Sequence, residues 1–165
     1  MKTENKENQG WEVICTYTTG EAVEDGSLVL VDEKISKQAA INYPVYLTQA
    51  VFSRYVQVPR EFQGLQDETG RLWDLLLMFT RKAYKNPNSQ LEFVVVCMLP
   101  EGEPAENERK IPDMKFHREI TLKSVIQARD FDDPSPAIFI MLPSKINSIN
   151  PARMGNPSWP KIPTT

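Results

Sequence analysis

The chain has 165 residues, 41% of them apolar and 25% charged, with a net charge of −3. That is the profile of one globular domain long enough to bury a real core. The charge balance argues against broad nonspecific attachment to nucleic acid, and no apolar run approaches the roughly 20 residues that a membrane-spanning helix needs.

Residues 1–10 are polar after Met1 and read as a flexible leader ahead of the domain, not as a signal peptide. Trp11 to Thr18 alternates, with Trp11, Val13, Cys15 and Tyr17 on one face, and predicts a half-buried strand. Thr19 is placed to cap a short helical turn over residues 21–25, which Gly26 ends. An extended segment over residues 28–31 feeds a second short helix from about Glu33 to Ile41. Pro44 breaks the chain by disfavouring helical geometry at Tyr43. Thr48 then caps a core-facing helix that runs through about Gln57 and ends before Pro59.

The longest helix is predicted over Asp67 to Lys85. Leu72, Leu75, Leu76, Phe79 and Ala83 form its apolar stripe, and Asp67, Arg71, Asp74, Arg81 and Lys85 its polar line. Acid at its start and base at its end suit the helix dipole. Residues 86–89, Asn-Pro-Asn-Ser, are a turn. Leu91 to Leu99 is apolar on both faces from Phe93 onward, the pattern of a central strand. Pro100 to Pro112 reads as a charged loop. Glu119 to Arg129 alternates, with a bulge or register change expected at Ser124 and Val125. Asp130 to Pro136 is a turn, and Ala137 to Leu142 is a second fully apolar strand. The last stretch, residues 143–165, holds five of the thirteen prolines, three basic residues and no acid. It is expected to be extended or disordered, and it leaves −6 on the rest of the chain.

Cys15 and Cys97 lie in separate apolar runs with no CxxC spacing. They read as buried thiols of a cytoplasmic protein. His117 is the single histidine, with no nucleophile paired to it in sequence, and reads as a solvent-facing strand residue. One histidine and unclustered cysteines make a zinc site improbable. The seven glycines form neither a GxGxxG nor a phosphate-binding loop, and no GxSxG elbow is present. No cofactor is expected.

The densest charge lies at Asp67, Glu68, Arg71 and Asp74. Asp67 and Arg71 are spaced i,i+4, Arg71 and Asp74 i,i+3, which sets one arginine between two carboxylates on a helix face. As chemistry, this is an acid pair with Arg71 lowering the carboxyl pKa values and placing an anionic substrate. As structure, it is an N-cap by Asp67 with surface pairs worth tenths of a kcal/mol. The structural reading is the stronger, because acid-rich helix starts arise from capping alone. Arg71 and Asp74 are also candidate binding residues. In the basic tail, Trp159 and Arg153, with Lys145 and Lys161, form the other candidate contact, either as a docking segment or as a solubilising tail.

Three blocks occur in order. They are Asp25-Gly26 with residues 28–32 Leu-Val-Leu-Val-Asp, residues 43–51 Tyr-Pro-Val-Tyr-Leu-Thr-Gln-Ala-Val, and residues 66–74 Gln-Asp-Glu-Thr-Gly-Arg-Leu-Trp-Asp. Over about residues 14 to 142 the chain resembles an uncharacterised bacterial domain family often carried on plasmids, phages and other mobile elements. The third block is the most specific part. The chain departs from the family pattern in having Gly-Leu-Gln-Asp where Gly-Gln-Asp is usual. The resemblance implies a cytoplasmic accessory protein of a mobile element directed at a host system, and it implies no activity and no catalytic residue.

The expected architecture is one α+β domain over residues 11–142. Its helices fall in the first half and pack on one face of a mostly antiparallel sheet, whose centre is residues 91–99, 119–129 and 137–142, joined by residues 11–18. The expected function is a non-enzymatic protein-binding or regulatory module with a host-encoded partner. The alternatives are an enzyme with an acidic cleft around Asp67, Glu68, Arg71 and Asp74, and nucleic-acid binding through the basic tail. The oligomeric state is not readable in the sequence.

Overall fold

The computed structural model describes residues 17–143. The first helix, α1 (Thr19–Glu24), is set by a capping box: Thr18 accepts from the Glu21 amide and the Glu21 carboxylate accepts from the Thr18 amide. The cap is therefore Thr18 and not Thr19. Gly26 at φ +84° turns the chain out of the helix. Strand β1 (Leu28–Leu30) and helix α2 (Glu33–Gln38), capped by Asp32, follow.

The next element is not predicted by the sequence reading. Pro44 keeps its neighbour extended, and the β-branched and aromatic residues after it continue as strand β2 (Val45–Thr48), whose first three residues are buried. The expected helix to Gln57 shrinks to α3 (Gln49–Val51) and a π-helical turn, Phe52–Val56, in which the Gln57 amide donates to the Phe52 carbonyl five residues back. Thr48 makes no capping hydrogen bond there. A 3-10 turn at Arg60–Phe62 leads to α4 (Glu68–Lys85), which Asp67 caps as its side chain accepts from the Gly70 amide.

Four strands complete the fold: β3 (Gln90–Met98), β4 (Glu108–Lys110), β5 (His117–Ala128) and β6 (Pro136–Met141). They join β1 and β2 in one six-stranded sheet of order β1-β2-β6-β5-β3. Strand β5 pairs antiparallel with β3 along one side; on its other side it meets β4 at residues 118–120 and β6 at residues 123–128. Strand β2 pairs parallel with β6 and antiparallel with β1, so the sheet is mixed. The chain is a single α+β domain.

Three expectations are corrected. Residues 91–99 are not central: β3 is an edge strand, with Leu91, Phe93, Val95 and Cys97 buried while Val94 and Val96 are 44% and 50% exposed. No bulge interrupts β5, because its register against β3 is continuous from Val125 to His117. Ser124 instead falls on the buried face with Arg118, Ile120 and Leu122. The charged loop contains a strand, β4, whose first residue is buried.

Most of the core lies on one face of the sheet. There Ile35 of α2, Val51, Tyr55, and Leu72, Leu75, Leu76 and Phe79 of α4 pack on Leu91, Phe93, Ile120, Leu122 and Ile138. A smaller cluster lies on the other face, where the Tyr46 and Phe139 rings stack at 5.2 Å and α1 joins through Val23. The helices are therefore not all on one face. Residues 11–16 and 144–165, which carry most of the expected first strand and nearly all of the tail, lie outside the described residues.

Candidate functional site

The helix-start cluster resolves into separate parts. Asp67 and Glu68 are exposed at the start of α4, and Asp74 is exposed one and a half turns on. Arg71 turns the other way and is buried. It does not lie between two carboxylates: Nε donates to the Tyr55 carbonyl (2.9 Å), and Nη1 to Gln66 Oε1 (3.0 Å) and the Met98 carbonyl (3.1 Å). Nη2 is buried without a partner among the described residues. Burial pushes the Arg71 guanidinium down from its ordinary value. Four residues of the block, Gln66, Asp67, Gly70 and Arg71, thus have a place in the fold. Gln66 and Arg71 tie the helix start to the π turn and to β3. Asp67 caps the helix, and Gly70 leaves room for the cap, since a Cβ there would lie 3.3 Å from Asp67 Oδ2.

The polar centre of the domain is a residue the sequence reading passed over, Glu108. Its side chain is fully buried at the start of β4. Oε1 accepts from the Tyr55 hydroxyl (2.9 Å) and from Arg54 Nε; Oε2 accepts from Arg118 Nη1 (2.7 Å) and the Ala105 amide (3.1 Å). Asn107 Nδ2 donates to the Tyr55 hydroxyl (2.9 Å) and to the Thr121 carbonyl (3.2 Å). Arg118, also buried, spends Nη2 on the carbonyls of Pro100 (2.9 Å) and Gly102 (3.0 Å). The π turn is what delivers both Arg54 and Tyr55, adjacent in sequence, to one carboxylate. Tyr55 also links the two centres: its carbonyl holds Arg71 and its hydroxyl holds Glu108.

At neutral pH the Glu108 carboxylate is charged and the Tyr55 hydroxyl is not. Burial alone would raise the Glu108 carboxyl, but the bonds from Arg54, the Ala105 amide, Arg118 and Tyr55 outweigh it and hold the group at about 2. Burial pushes the Tyr55 hydroxyl to about 12 and the Cys97 thiol to about 11. A general acid or base works best with a pKa near the working pH, and all three lie far from neutrality. Nothing in the spacing of Glu106-Asn107-Glu108 distinguished the buried carboxylate from its exposed neighbour. The only signal available was that a buried acid needs partners, and those lie 10 and about 54 residues away.

Clefts open at three places among the described residues, and none of these three is lined by Asp67, Glu68, Arg71 or Asp74. One of about 450 Å³ lies beside Lys110, Met114 and Lys115. One of about 580 Å³ lies beside Glu92, Thr121 and Leu142. The most enclosed, about 610 Å³, is walled by Leu30, Ile41, Tyr43 and Pro44 and rimmed by charges of both signs, including Glu33 and Arg129. Leu30 is 48% exposed and Tyr43 37%. His117 is half-buried at the start of β5, opposite Met98. Arg153, Trp159, Lys145 and Lys161 lie outside the described residues. Among the described residues no group of three His, Cys, Asp or Glu side chains is arranged to hold a metal ion, and no helix is long and apolar enough to cross a membrane. Comparison with known proteins finds no matching family model, no matching curated protein and no matching solved structure.

Proposed function

We propose that this chain is a non-enzymatic protein-binding module, and that the cleft beside Leu30 and Tyr43 takes an apolar anchor side chain of its partner. The observation that supports this reading is the composition of that cleft: an exposed apolar wall, a rim with Glu33 and Arg129, and a volume of about 610 Å³, within the range of ligand sites. The buried ionisable groups fit the same reading, since Glu108 and Tyr55 are engaged with each other inside the fold. The resemblance of the Gln-Asp-Glu-Thr-Gly-Arg-Leu-Trp-Asp block supports an accessory role on a mobile element, with a host-encoded partner met in the cytoplasm.

The test is capture from the native host with the full chain, followed by calorimetry on the purified partner. Leu30→Glu and Tyr43→Ala are expected to weaken the partner at least about tenfold, the size of effect for a buried anchor, with circular dichroism unchanged. A partner held equally by both variants would remove the cleft from the reading. Loss of the partner in Asp67→Ala/Asp74→Ala instead would move the interface to α4.

A further inference from the structure

We propose that two copies of this chain pair through the free edges of β3, antiparallel about a two-fold axis at Val94, and so form one continuous sheet. The backbone of β3 leaves one side unpaired. At the ends of its ladder with β5 the Leu99 amide donates to Phe116 (2.8 Å) and the Ile126 amide to Ser89 (2.7 Å), and the register between them is unbroken. Odd-numbered residues of β3 therefore turn their amides and carbonyls to β5, and even-numbered ones turn them away. Of the outward groups, the Met98 carbonyl is taken by Arg71. Those of Gln90, Glu92, Val94 and Val96 have no backbone partner among the described residues. This is a nine-residue edge strand with no proline, no bulge and no lysine along it, which are the devices that keep edges apart.

The edge is also self-complementary. A two-fold axis at Val94 sets Val94 against itself and Glu92 against the partner's Val96, so no like charges meet across the seam. Within each copy Glu92 already faces Lys123 of β5.

Helix α4 adds charge complementarity to the same edge. Arg71, Asp74, Met78 and Lys82 are three or four residues apart and share one flank. Arg71 reaches the Met98 carbonyl, so that flank overhangs the free edge. The Phe79 ring meets the Phe93 ring edge-on at 5.7 Å, which brings Met78 level with Val94. The same axis therefore carries Asp74 toward the partner's Lys82, and Lys82 toward the partner's Asp74. Both are exposed, and neither has a salt bridge among the described residues. An isologous pairing of this kind closes at two copies.

The test is the mass of the full chain by light scattering and sedimentation over a concentration series, with amide exchange at Val94 and Val96. The expected result is twice the 18.9 kDa chain mass, with both amides gaining protection as the dimer forms. Val94→Pro removes an outward amide at a position an edge strand tolerates, and is expected to give a folded monomer. Asp74→Lys makes two symmetric contacts repulsive and is expected to weaken the dimer roughly tenfold, with Asp74→Lys/Lys82→Asp restoring it. A monomer at every concentration up to millimolar overturns the proposal, as does protection of the two amides in a monomer, which would mean another occupant. A dimer that persists in Val94→Pro, or is indifferent to the charge swap, overturns it as well.

Discussion

Glu108 shows how one side chain can organise a polar interior. Four donors converge on its carboxylate, and removing the charge leaves Arg118 buried without its carboxylate. Glu108→Gln is expected to cost about 3–5 kcal/mol, the range for a broken buried pair, read as a lower midpoint in urea. The carboxyl is held at about 2 in the fold against 4.5 for the free group. A depressed pKa contributes stability above the unfolded value and loses it as pH falls through the folded one. Stability is therefore expected to decline between about pH 4.5 and 2, and the decline to flatten in Glu108→Gln. Arg71 is the second case. Its fork meets three acceptors, a geometry a lysine ammonium does not reproduce. Arg71→Lys is expected to destabilise by about 1–2 kcal/mol and Arg71→Ala by about 2–4 kcal/mol, measured by the same denaturation. Cys97, with its thiol at about 11, is expected to react with a thiol reagent only as fast as the fold opens, a rate best followed in Cys15→Ser.

At the scale of elements, α4 was legible because local rules decide it. Asp67 caps it, its apolar stripe faces the sheet, and its length matches the periodicity. Asp67→Ala is expected to cost about 1 kcal/mol in chemical denaturation, without loss of partner binding at the Leu30 cleft. What failed was the side on which Arg71 falls. Helical spacing places it beside Asp67 and Asp74, while the three acceptors it serves come from residues 55, 66 and 98, which no local rule reveals. Strand β2 was missed for a related reason: four residues after Pro44 are too few to show a period, and their extended shape is fixed by β1 and β6. The π turn was read as ordinary helix because its residues carry helical spacing, while the Gln57–Phe52 bond, five residues back, marks the wider turn. Strand β3 was placed correctly along the chain and misplaced across the sheet. Its run of valines looks central, yet its outer face is the exposed one.

For the whole molecule, class and connectivity were partly legible: helices concentrated early, long strands late, one α+β domain. The mixed sheet was not, because it depends on β2 running parallel to β6 while every other pair is antiparallel. The Glu108 centre was likewise invisible, since it gathers the π turn, the loop before β4 and β5 around one atom pair. The parallel seam also has a bearing on how the protein is made. Val45 pairs with Ile138, so the strand that completes the middle of the sheet is synthesised after every other described element. Contacts this distant in sequence slow folding. A nascent chain leaving the ribosome can build α4 and pair β3 with β5 early, but the β1–β2 pair joins the rest of the sheet only through β6. Truncation before Pro136 is expected to leave Tyr46 and Leu47 without their β6 neighbours, which makes the arrival of β6 the step that commits the domain to its fold.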